Sequence, residues 1–124
     1  MKFKKDETLF TGRLKSIVFA VKGAKQLVTT EHSIMVQSII VIIMIIAGCY
    51  FGINRYEWMM QILVFGLVLS IEGLNTAVEK IADFVHPDFH ERIGFIKDIA
   101  AGAVFFAAIT AIIIGCIIYF PYLF

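Results

Sequence analysis

Glu72, Asn75, Glu79 and Asp83 lie in the stretch from Trp58 to Phe84, which is otherwise apolar enough to cross a membrane. At about 100° per residue, a helix gathers the four into a wedge of roughly 80°. Acidic side chains at membrane depth are expensive, so such a cluster marks a functional site by default. Carboxylates are hard oxygen ligands of the kind Mg²⁺ takes alongside nucleotide phosphates, and Glu31 and Glu79 suit that task. Lys97, Arg13 and Lys22 suit phosphate oxygens. Desolvation favours a neutral carboxyl, the direction needed in a general base working near neutral pH, and Glu72 is the deepest of the set. Asn75, one turn along, is placed to orient that carboxylate or its substrate by hydrogen bonds.

The elements that must position these groups follow from hydropathy. The chain has 124 residues, 60% of them hydrophobic, and a net charge of +1. That composition excludes an ordinary soluble domain, a disordered chain and a nucleic-acid binder with a basic field. Ser33 to Ile53 is 21 residues without a charge, and Ile99 to Phe124 is 26 more. Each is long enough for the roughly 30 Å hydrocarbon core. Trp58 to Ile71 adds 14 uncharged residues and runs on into the acidic wedge. The expectation is an all-α integral membrane protein. It would form a single membrane domain over 1–124, with helices over about 9–28, 32–53, 57–85 and 95–120. The first 30 residues lack the long apolar core of a secretory signal.

The first of these helices is too polar to span. Phe10, Leu14, Ile17, Val21, Ala24 and Val28 recur at three- and four-residue steps. Lys15 and Lys22 stand well round from that stripe. This predicts an amphipathic surface helix, its lysines meeting anionic headgroups or phosphates, although a plain membrane anchor would show the same period.

Orientation comes from basic residues. Seven precede the first span, one lies in its following turn, and three lie between Lys80 and Lys97. The positive-inside rule puts the N-terminus and the second loop in the cytoplasm and the C-terminus outside. If the second span enters near Trp58, about 20 residues carry it to the cytoplasmic boundary near Val78. Glu72 then lies roughly 9 Å inside that boundary, with Glu79 and Asp83 at the wet edge. Glu31 and the pair Lys97-Asp98 open the neighbouring spans on the same side.

Glu72-Gly-Leu-Asn75-Thr-Ala-Val-Glu79, then Asp83, then Lys97-Asp98-Ile-Ala-Ala-Gly-Ala-Val104, resembles the prokaryotic diacylglycerol kinase family, which includes the undecaprenol kinases. The likeness covers nearly the whole chain. It implies a homotrimer of three-span subunits with an N-terminal surface helix, active sites shared between subunits, and ATP-dependent phosphorylation of a membrane lipid in the bacterial inner membrane. Diacylglycerol would give phosphatidic acid; the alternative acceptor is undecaprenol. The resemblance makes Glu72 the catalytic base, with Asn75 beside it, and Glu31 and Glu79 the Mg²⁺ ligands. It places Arg13, Lys15, Phe19, Glu31, Glu79, Asp83, Asp88, His90, Lys97 and Asp98 around the nucleotide. Two features bear on the lipid. Gln37 stands where some diacylglycerol kinases carry a further acidic residue, and the Lys97–Val104 run is similar to the undecaprenol kinase branch.

Other residues have plainer readings. Ala100, Ala103, Ala107 and Ala111 form a small-residue face suited to close helix packing. Cys49 and Cys116 have no paired spacing and read as structural thiols. Pro87 disfavours a regular helix between His86 and His90, which argues against a metal pair there. Tyr56, Trp58, Tyr119 and Tyr122 read as an outer interfacial belt. The wedge itself has two other readings, polar glue between subunits and the relay of a small proton- or cation-coupled transporter. The relay would spread polar groups through the full membrane depth. Here they crowd into one leaflet.

Overall fold

The computed structural model describes residues 8–124; Lys2, Lys4 and Lys5, counted above among the basic residues, lie outside it. Four helices follow in order: α1 Leu9–Thr30, α2 His32–Phe51, α3 Arg55–Val85 and α4 Glu91–Leu123. The last three are long and apolar enough to cross a membrane, an 18-residue stretch of each having a mean hydropathy of 2.5, 1.6 and 2.6. Their outer surfaces are apolar and exposed, as at Ile39, Ile42, Ile43 and Ile46 on α2. At 1.5 Å per residue the 31 residues of α3 rise about 46 Å, more than the roughly 30 Å of hydrocarbon they have to cross.

Local chemistry sets each helix end. Thr8 Oγ1 accepts the Thr11 amide at 3.1 Å and caps α1. That helix ends where Thr29 and Thr30 turn their hydroxyls back to the carbonyls of Lys25 (2.7 Å) and Gln26 (2.5 Å). Such back-bonding by β-branched residues weakens a helix, and the next residue, Glu31, is extended at φ −101°, ψ 117°. α2 then starts at once, so Glu31 is the one non-helical residue between two helices. At the far end Gly52 closes α2 with φ 63°, a left-handed conformation that disfavours any side chain. Asn54 and Glu57 form a reciprocal capping box at the start of α3, each bond 2.9 Å.

Antiparallel neighbours result. Asp83 meets Lys97 at one end of the α3–α4 pair, while Gln61 meets Tyr119 and Glu57 meets Tyr122 at the other. Between those ends Val64 and Val68 of α3 bury themselves against Ala107 of α4, with Ala111 alongside. The small-residue face thus lets α4 lie close on α3, where van der Waals contact drives association. α2 joins through Gly48: a Cβ there would fall 2.8 Å from the Trp58 ring, so only glycine admits the indole. Trp58 and Tyr119 are therefore packing residues, while Tyr56 and Tyr122 stay exposed. Tyr119 is buried in a cluster with Ile53 and Ile118.

Candidate active site

Glu72 is 6% exposed, the single buried carboxylate among the described residues. It makes no hydrogen bond or ion pair among those residues. Its carboxylate is open to a partner that the described residues do not supply. Further along the wedge the side chains open out, Asn75 being half-buried and Glu79 and Asp83 exposed.

Asn75 does not reach back to Glu72. Its Nδ2 donates forward to Glu79 Oε1 at 3.3 Å, the ordinary i to i+4 reach on a helix. Its own Oδ1 is buried with no partner, the only such atom among the described side chains. No three His, Cys, Asp or Glu side chains converge as a metal centre among the described residues. The oxygen donors on hand are Glu79, the orphaned amide oxygen of Asn75, and Glu31 across the helix interface. Such a set fits a hard cation that completes its shell with phosphates and water.

Glu31 is fixed by the α1–α2 break. Its N–H donates to the Leu27 carbonyl (3.2 Å) and its own carbonyl accepts from Met35 N–H (3.0 Å). Oε1 lies 3.4 Å from Lys80 Nζ on α3. Leu27, one turn before Glu31, leans on α3 at Gly73, where a Cβ would fall 3.2 Å from Leu27 Cδ1. The end of α1 therefore sits beside the acidic helix, next to the residue that follows Glu72.

On α4, Lys97 Nζ is 2.6 Å from Asp83 Oδ1, which brings two of the expected nucleotide residues into one ion pair. Asp98 is exposed beside it. Asp88 and His90 lie in the α3–α4 loop. The Asp88 carbonyl is 2.7 Å from His86 Nδ1, so that nitrogen carries the proton. His90 Nδ1 accepts from Arg92 N–H at 3.1 Å and caps α4. The two imidazoles meet edge to face, centroids 5.3 Å apart. Arg13, Lys15 and Phe19 stand exposed on α1. Among the described residues, no hydrogen bond or ion pair links Arg13 or Phe19 to α3 or α4.

Away from the acidic residues, a groove of about 570 Å³ opens between α2, α3 and α4. Its lining is apolar except for Gln37, Gln61 and Tyr119. The last two belong to a buried polar node that the sequence reading missed. Tyr119 Oη donates to Gln61 Oε1 at 2.5 Å, and Gln61 Nε2 donates to the Met44 carbonyl at 3.3 Å. Gln61 is the only amide in the uncharged run from Trp58 to Ile71, and that was the available signal.

Comparison with known proteins identifies the family. A family profile described as prokaryotic diacylglycerol kinase matches residues 18–119. The undecaprenol kinase of Bacillus subtilis (strain 168) is 34% identical over 107 residues, covering 86% of this chain and 87% of its own. The diacylglycerol kinase of Escherichia coli (strain K12) is 28% identical over 111 residues, 90% and 91% of the two chains. The diacylglycerol kinase of Haemophilus influenzae is 29% identical over 114 residues, 91% and 97%. With three helices able to span a bilayer and relatives of this kind, the chain is an integral membrane protein. It belongs to the prokaryotic diacylglycerol kinase family, and it is a lipid kinase.

Proposed function

We propose that this protein transfers the γ-phosphate of ATP to the hydroxyl of a membrane lipid at the cytoplasmic face of the bacterial inner membrane. The observation that carries the reading is Glu72, a buried carboxylate without a hydrogen-bond partner on a membrane-length helix. Glu72 takes the proton from the lipid hydroxyl, whose oxygen bonds to the γ-phosphorus as the bond to ADP breaks. Asn75 holds Glu79 in place by its 3.3 Å bond and offers its free oxygen to the same site. Glu31 and Glu79 would hold Mg²⁺, which neutralises phosphate charge when bound. Asp83 from α3, Lys97 and Asp98 from α4, and Asp88 and His90 from the loop frame the nucleotide, with Arg13, Lys15 and Phe19 closing it from α1.

The orientation is N-terminus inside and C-terminus outside, with the whole chain forming one membrane domain. α1 lies in the interface, its exposed apolar residues such as Leu14, Ile17 and Val21 turned to lipid. The exposure of Arg13 and Phe19, with no bond from Arg13 to α3 or α4 among the described residues, supports a site completed by a neighbouring subunit in a homotrimer.

Diacylglycerol, giving phosphatidic acid, is the first reading of the acceptor, because the relatives from Escherichia coli and Haemophilus influenzae carry that name. Undecaprenol is the second, favoured by Gln37, by the Lys97–Val104 run and by the 34% identity to an undecaprenol kinase. A phosphotransfer assay in mixed micelles, with each lipid at equal surface concentration, tests both. Activity on neither lipid with intact ATP binding would overturn the proposal.

A further inference from the structure

Lys80 is in no set of residues assigned above, yet it holds the one side-chain partner that Glu31 has among the described residues. The pair is 3.4 Å long, with Lys80 71% and Glu31 25% exposed. Lys80 follows Glu79 directly, so on α3 the two side chains point about 100° apart. Glu31 therefore faces the Lys80 side of α3, and to share a cation with Glu79 it has to turn away from the ammonium. A divalent cation and the ammonium seek the same carboxylate oxygens, and both cannot be served fully.

From this we propose that Lys80 is a positioning residue that competes with the divalent cation for Glu31 and thereby sets the affinity of the metal site. The inference rests on the metal assignment of Glu31 and Glu79 made above. Two features make the exchange feasible. A partly exposed ion pair is weakly held, so it yields readily to a doubly charged ion. The backbone of Glu31 does not depend on Lys80, because its Leu27 and Met35 hydrogen bonds and the Leu27 contact at Gly73 fix it separately. Lys80 thus keeps the carboxylate compensated and near its working position.

The test is Mn²⁺ binding, followed by electron paramagnetic resonance on the full chain in micelles with a non-hydrolysable ATP analogue and no lipid acceptor. Wild type is compared with Lys80→Met, Lys80→Arg, Glu31→Gln, Glu79→Gln and the Lys80→Met/Glu31→Gln double variant. Lys80→Met should tighten Mn²⁺ binding about two- to fivefold, the range spanned by partly exposed ion pairs. Lys80→Arg should restore the wild-type value. In the Glu31→Gln background, Lys80→Met should change nothing, since Lys80 acts through Glu31. An unchanged or weaker affinity in Lys80→Met, with Glu31→Gln clearly weakened, overturns the role of Lys80 alone. An equal gain in both backgrounds also overturns it, because simple removal of a positive charge then suffices. If Glu31→Gln and Glu79→Gln both bind Mn²⁺ like wild type, the metal assignment itself falls.

Discussion

Asn75 gives its amide to Glu79 at 3.3 Å and leaves its own carbonyl oxygen buried and unpartnered. The bond ties the half-buried middle of the wedge to its exposed end, and the orphaned oxygen is a demand that substrate or cation would meet. Asn75→Leu should remove both properties at once. The expected result is a KM for MgATP raised about tenfold or more, in line with losing a hydrogen bond to a charged group. Steady-state kinetics at saturating lipid check it, and an unchanged KM would show that Asn75 has no part in the site.

Glu72→Gln keeps the shape of the side chain and removes its ability to take a proton. Turnover should fall by at least the roughly 10²–10⁴ typical of a general base. Size-exclusion elution should stay as in wild type. A purified variant keeping more than about a tenth of the rate would exclude Glu72 as the base.

Glu31→Gln and Glu79→Gln should each weaken use of MgATP and recover in part at high Mg²⁺. Titrations of rate against Mg²⁺ at fixed ATP measure this. Identical Mg²⁺ curves for both variants and wild type would count against the pairing.

The Gln61–Tyr119–Met44 node lies at the opposite end of α3 from the acidic wedge, so its loss should act on stability and not on chemistry. Tyr119→Phe should lower stability by about 0.6 kcal/mol and at most about 1.7, the range measured for hydrogen bonds between membrane helices. Unfolding in mixed detergent reads the change, with kcat held near wild type. A large drop in kcat in the folded variant would mean that the node reaches the site.

Both lipids should be phosphorylated in micelles, with one preferred. The membrane accommodates apolar tails alike, so chain identity alone discriminates by about 1–3 kcal/mol per structural feature. Side-by-side kcat/KM values decide the preference.

Much of this protein was legible without coordinates. Helix periodicity placed Glu72, Asn75, Glu79 and Asp83 on one face, because that spacing depends only on backbone geometry. Runs without charge announced three membrane-length helices, since the bilayer imposes both length and apolarity. The Glu72–Glu79 and Lys97–Val104 patterns were enough to suggest the family that comparison then established. Which side chain meets which depends instead on how the helices are rotated against one another. That rotation decided that Lys97 pairs with Asp83 and that Lys80 reaches Glu31. It also packed Trp58 against Gly48 and buried Tyr119 in the cluster with Ile53 and Ile118. Such choices arise from close contacts like Gly48 with Trp58 and Ala107 with Val64 and Val68. They rest on packing between segments distant in sequence, which no local pattern encodes.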